Sequence, residues 1–239
     1  MPLPKIATPT YELELPSTGK SIKYRPFLVK EEKVLVIALE SEDNKQITNA
    51  IKAVLKSCVL TKGIKVETLP TFDIEYLFLN IRGKSVGEEL DVTLICPDDG
   101  ETEVSVQIDL DDIQIQKNDD HTNQVKLDNS LMMELRYPSL DQFIKSNFDF
   151  DDKNQMDQSF ALIASCIDKI YSEDEVWATA DCTKKEMNDF LESMNSSQFK
   201  EIEKFFDTMP KLSHTIKVTN PKTGVESDVV LEGLASFFA

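Results

Sequence analysis

The chain is poor in the residues that most chemistry needs. It has seven glycines in 239 residues, and none are grouped into a loop that could cradle a phosphate. There are two histidines, His121 and His214, and neither accompanies a nucleophile elbow or a metalloprotease pair. The four cysteines, Cys58, Cys96, Cys166 and Cys182, form no C-x-x-C pair. Cys58 and Cys166 sit in apolar helical stretches and read as small buried hydrophobes. Positive charge is short as well: 26 Lys and Arg stand against 43 Asp and Glu, a formal charge of -17. That argues against a binder of nucleic-acid backbones, which needs a basic face, and favours a soluble protein with basic partners. No run of about 18 apolar residues exists to span a membrane. The start, Met1-Pro2-Leu3-Pro4-Lys5, lacks the apolar core of a signal peptide, so a reducing compartment without disulfides is expected.

Acidic residues are plentiful but unspecific. A carboxylate pair of the glycosidase type can be imagined almost anywhere among 43 of them. The stretch from Asp149 resembles a calcium loop only briefly: its fifth position is Lys153, its sixth is not glycine and its twelfth is Phe160. No catalytic, cofactor-binding or metal-ligating residue is assigned.

The pattern that is present alternates hairpins with helices, an α+β class. Residues 10–15 and 20–25 alternate around Pro16–Gly19, giving an N-terminal hairpin. Residues 30–40 are apolar from 34 to 39 and read as a well-buried helix. Asp43 or Asn44 caps a second helix with apolar positions 47, 50, 51, 54, 55 and 58, stopped at Gly63. Thr71 starts a third, apolar on nearly every side and stopped at Gly83. Residues 89–96 and 101–110 form a middle hairpin, followed by strand-like pieces at 113–116, 124–127 and 132–136. Helices are expected at 139–147, 156–171, 183–193 and 196–207. Ser139 with Gln142 and Thr183 with Glu186 resemble capping boxes. A hairpin over 215–231 precedes an apolar tail. In all, roughly seven helices combine with hairpins at the N-terminus, middle and C-terminus. The domain division expected is 1–110 and 111–239, or one composite domain.

The middle and last turns, Cys96-Pro97-Asp98-Asp99-Gly100 and Asn220-Pro221-Lys222-Thr223-Gly224, share the form x-Pro-x-x-Gly. This is the skeleton of a zinc knuckle, with Cys96 the one cysteine left at four ligand positions. They read as two degenerate zinc-knuckle-like hairpins without metal, and a common origin would bring them together in space.

Several runs carry a resemblance. Leu3 to Lys20, Tyr24 to Leu35, Phe72 to Glu88 and Gly233 to Phe238 are similar to the baseplate proteins of T-even-type contractile-tailed bacteriophages, a family with a central-hub subunit and a hub assembly catalyst. The resemblance implies a virion structural protein without enzymatic activity that helps to assemble the central hub. Its partners would be other phage baseplate hub and tail-tip proteins, with no nucleic acid and no membrane. It would be found in the virion tail baseplate, and in the host cytoplasm during assembly. The alternatives are a transient assembly chaperone absent from the mature virion and a tail-associated cell-wall hydrolase. Partner contacts are expected at the two ends, through Pro2, Pro4 and Ile6 of the proline-rich arm and Phe237 and Phe238 of the tail. For the phenylalanines, packing on the chain's own helices is the other reading.

Overall fold

The computed structural model describes residues 6–140, 142 and 155–233. The chain divides into two compact units. The first comprises residues up to 66, 72–116 and 211 onward, and the second comprises 67–71 and 117–210.

The first unit opens with β1 (Tyr11–Glu14) paired antiparallel with β2 (Ser21–Tyr24), Leu13 opposite Ile22. In the turn between them the Gly19 amide donates to the Leu15 carbonyl at 2.8 Å. Ser17 gives its amide (3.0 Å) and its hydroxyl to Asp73, a fully buried carboxylate of α3. Helix α1 (Val29–Glu40) starts where the buried Glu31 carboxylate accepts the Leu28 amide at 2.7 Å. Glu31 also pairs with Arg25 at 3.0 Å. Burial pushes the Glu31 carboxyl up, but the hydrogen bonds from Arg25 and Leu28 and the Arg25 charge outweigh it and hold it below the usual range. Helix α2 (Asn44–Cys58) is capped by Asp43, which accepts from the Lys45 and Gln46 amides. It ends five residues before the expected stop at Gly63. There Val59 bridges Tyr24 and the Leu60 amide bonds the Lys23 carbonyl at 2.8 Å, so pairing with β2 takes over from the helix.

Helix α3 (Thr71–Val86) buries Phe72, Ile74, Leu77, Phe78, Leu79 and Ile81, as a helix apolar on most sides must. It runs through Gly83 rather than stopping there. That glycine is a packing residue, since a Cβ would stand 3.2 Å from Leu110 Cδ1, and the break comes at Gly87 with φ 126°. Next come β3 (Glu89–Ile95) and β4 (Glu103–Asp109), in register from Glu89–Asp109 to Ile95–Glu103. A three-stranded sheet has the order β11-β10-β5, from β5 (Gln114–Gln116), β10 (Lys211–Thr219) and β11 (Glu226–Glu232). The inner faces of both sheets meet Leu79 in one core: Leu90, Val92, Leu94 and Ile108 from the hairpin, Leu212, Ile216, Val218 and Leu231 from the sheet.

The second unit holds a four-stranded antiparallel sheet of β6 (Gln124–Lys126), β7 (Met132–Leu135), β8 (Ile167–Tyr171) and β9 (Val176–Ala178). Three helices among the described residues accompany it, α4 (Gln155–Cys166), α5 (Lys184–Glu192) and α6 (Ser196–Thr208). The helix expected over 156–171 stops at Cys166. Its last five residues, Ile167-Asp-Lys-Ile-Tyr, pair with β7 on one side and β9 on the other, where Ile and Tyr fit a pleated surface. Strand β9 was not expected. The capping boxes of α5 (Thr183 with Glu186) and α6 (Asn195 with Gln198) are both formed. Ser139 and Gln142 also cap reciprocally, at 2.8 and 3.3 Å. The rest of the helix expected at 139–147 lies outside the described residues. Among the described residues the mixed architecture therefore has six α-helices and small antiparallel sheets.

Candidate functional site

The x-Pro-x-x-Gly turns of the middle and last hairpins meet. The Asn220 side-chain amide donates to both Asp98 oxygens (3.0 and 3.1 Å) and to Asp99 Oδ2 (2.9 Å), and the Thr223 hydroxyl donates to Asp98 at 2.5 Å. Asn220 is buried, and its own oxygen accepts the Lys222 and Thr223 amides. Asp99 also takes the Glu101 and Thr102 amides and the Thr102 hydroxyl. These hydrogen bonds hold both carboxyls below their ordinary range, the Thr102 bonds leading for Asp99 and the Thr223 bond for Asp98. In each turn the glycine has positive φ, and its amide donates to the carbonyl four residues back, Gly100 to Cys96 at 2.9 Å and Gly224 to Asn220 at 2.8 Å.

The zinc-knuckle interpretation of these hairpins is not supported. The first hairpin turns on the same skeleton, Leu15-Pro16-Ser17-Thr18-Gly19, with the same glycine bond and a φ of 66° at Gly19. Leu15 and Thr18 stand there at the ligand positions. Proline's fixed φ and a left-handed glycine make this turn locally, whatever fills the first and fourth places. No group of three or more potential ligands is gathered among the described residues.

Cys58 and Cys166 are poorly suited to act as nucleophiles. Burial pushes the Cys58 thiol up to about 11 and the Cys166 thiol up to about 12, whereas reactive cysteines have lowered values. Both are fully buried, as their apolar settings required. His121 is a packed ring. The Thr208 hydroxyl donates to the Lys204 carbonyl (2.7 Å), so its oxygen accepts from His121 Nδ1–H (2.9 Å) and Nε2 accepts from the Tyr137 hydroxyl (2.9 Å). The ring stacks on Tyr137 at 5.5 Å and lies 5.1 Å from Phe205, and burial lowers its pKa. A shallow depression beside it, lined by Gln124, Glu201, Lys204 and Phe205 among others, encloses about 160 Å³. Small-molecule sites run to about 300–1,000 Å³.

Surfaces carry more character than clefts. The outward side of the middle hairpin presents Glu89, Asp91, Glu103 and Asp109, with Glu89 directly opposite Asp109. Residues 88–112 contain ten acidic side chains and no lysine or arginine.

Helix α1 is less buried than the well-buried helix expected. Only Glu31, Leu35 and Ala38 are buried, while Val29 (79%), Val36 (47%) and Ile37 (55%) stand in water. The sequence reading did not single out these exposed residues. The signal was an apolar helix too uniform to be satisfied by one buried face. Of the expected contact residues, Ile6 is 93% exposed. Pro2, Pro4, Phe237 and Phe238 lie outside the described residues.

No helix among the described residues is long and apolar enough to cross a membrane. The sequence profile of the T4 bacteriophage base plate protein family matches residues 8–239. The baseplate hub assembly protein gp26 of Enterobacteria phage T4 is 24% identical over 231 residues, which covers 95% of this chain and 97% of that protein. No solved structure matches the chain.

Proposed function

Because the chain belongs to the T4 bacteriophage base plate protein family, we propose that it helps to build the central hub of a contractile-tail baseplate by binding other hub proteins, without chemistry of its own. The observation that carries this reading is the end-to-end match to a relative whose name is hub assembly protein. Its physical support is the character of the surface. An acidic hairpin face favours basic protein partners by charge complementarity, and the exposed apolar face of α1 asks for cover. The raised thiols and the packed histidine speak against cysteine nucleophiles and His-based acid–base chemistry.

The protein is retained as a baseplate subunit of the virion, and partners would dock through the proline-rich arm (Pro2, Pro4, Ile6) and the tail (Phe237, Phe238). The relative's name favours a second reading, in which the protein acts during hub formation in the host cytoplasm and then leaves. Quantitative mass spectrometry of purified virions separates the two. A fixed copy number per tail supports the subunit, and absence from virions combined with hubless tails in a deletion strain supports the departing assembly factor. Normal hubs in the deletion strain would overturn both. Peptidoglycan clearance by the purified protein would replace them with the cell-wall hydrolase.

A further inference from the structure

The outward face of α1 is where composition and exposure disagree most. Val29, Lys33, Val36, Ile37 and Glu40 follow one another at spacings that keep them on one stripe of the helix, opposite the buried Glu31, Leu35 and Ala38. All five are exposed. Lys33 and Glu40 make no ion pair among the described residues.

We propose that this stripe is a self-contact face, on which two copies of the chain pack α1 against α1 antiparallel about a twofold axis between Val36 and Ile37. The charges choose the arrangement. A parallel pair would set Lys33 on Lys33 and Glu40 on Glu40. An antiparallel pair that stacks Val29 on the partner's Val36 and Ile37 brings Lys33 against Lys33. An antiparallel pair centred between Val36 and Ile37 lays Val36 on the partner's Ile37 and Lys33 on the partner's Glu40, twice by symmetry. It also sets the two helix dipoles antiparallel, so that each positive end lies toward the partner's negative end.

The surrounding charge permits this approach. Residues 20–65 hold ten Lys and Arg against five Asp and Glu, in a chain whose overall charge is -17. Two copies meeting through this region avoid the acidic excess that would repel them elsewhere. A contact between two helices of 12 residues is small beside the roughly 1,200–2,000 Å² of standard interfaces. The dimer is therefore weak and concentration-dependent, and it strengthens where assembly raises the local concentration.

Sedimentation equilibrium of the full-length protein, from low to high micromolar concentration, tests this without any other hub protein. The expected result is a monomer–dimer equilibrium that V36E/I37E abolishes, with the thermal melt unchanged because those side chains already face water. Lys33→Glu and Glu40→Lys should each weaken the dimer several-fold, and the double reversal should restore it. A wild-type protein that stays monomeric throughout overturns the proposal, and so does a dimer indifferent to V36E/I37E. A double reversal no better than the single changes overturns the antiparallel register. If a chain lacking residues 234–239 dimerises while the full chain does not, the tail is the occupant. If the protein is monomeric and V36E/I37E fails to enter hubs, the occupant is another hub protein.

Discussion

His121 shows how little a residue's chemical capacity says about its use. Both ring nitrogens are spent on Thr208 and Tyr137, and the ring is wedged beside Phe205. Burial lowers its folded-state pKa below the ordinary histidine value of about 6.5, so the unfolded chain binds the proton more readily. The stability tied to the neutral ring is then complete above about pH 6.5 and is lost as pH falls through the lower folded value. His121→Gln keeps a neutral hydrogen-bonding side chain and removes the titration. Thermal melts between pH 7 and pH 5 should therefore decline less in the variant than in the wild type. Equal declines would mean that the ring is solvated. The cysteines were easier to read, because an apolar helical setting already predicts a buried, unreactive thiol, and Cys58 and Cys166 are so placed.

At the scale of elements, the turns and α3 carry the testable energetics. Asn220 joins the middle and last hairpins through two carboxylates. Asn220→Ala removes a buried, fully bonded amide and should cost about 1–3 kcal/mol. Asn220→Asp sets a third carboxylate beside Asp98 and Asp99 and should destabilise more at pH 7, with the excess fading as pH falls and the introduced carboxylate, raised by its two charged neighbours, protonates. A neutral-pH melt in which the aspartate variant matches the alanine variant would show that the junction is held by packing alone. In α3, Leu77 is fully buried, so Leu77→Ala should lower stability by roughly 2–5 kcal/mol in chemical denaturation. An unchanged midpoint would place that face outside the core. Hairpins, turns and caps were legible here because each is written in a few adjacent residues. The strand at Ile167–Tyr171 was not, because its apolar pattern continues that of α4 and only pairing with β7 and β9 separates the two.

On the scale of the whole molecule, the proposed contacts with other proteins lie at the ends and on the α1 face. Ile6, in the proline-rich arm, is almost fully exposed. Deleting residues 1–9 should leave the melting temperature nearly unchanged while weakening co-purification with other hub proteins. A large fall in melting temperature with partner binding intact would reverse the assignment. The two compact units are not consecutive halves of the chain, since residues from 211 onward return to the first unit. That return puts β10 beside β5 and brings Asn220 to Asp98 across about 120 intervening residues.

The sequence by itself determined what depends on local chemistry. It set the alternating hairpins, the Thr183 and Ser139 caps, a cap at Asp43 or Asn44, the all-round apolar α3, and the glycine turns whose backbone only glycine adopts without strain. It also carried the family signature, because that is spread over runs of side chains and needs no coordinates. Only the tertiary structure decided what depends on cover from distant residues. Gly83 became a packing point under Leu110 instead of a helix stop, and α2 yielded to β2 at Val59. The apolar stripe of α1 was left in water while the equally apolar α3 was enclosed. Hydrophobicity states only that a surface gains by being covered, and which surfaces find cover within one chain depends on how the whole chain closes on itself.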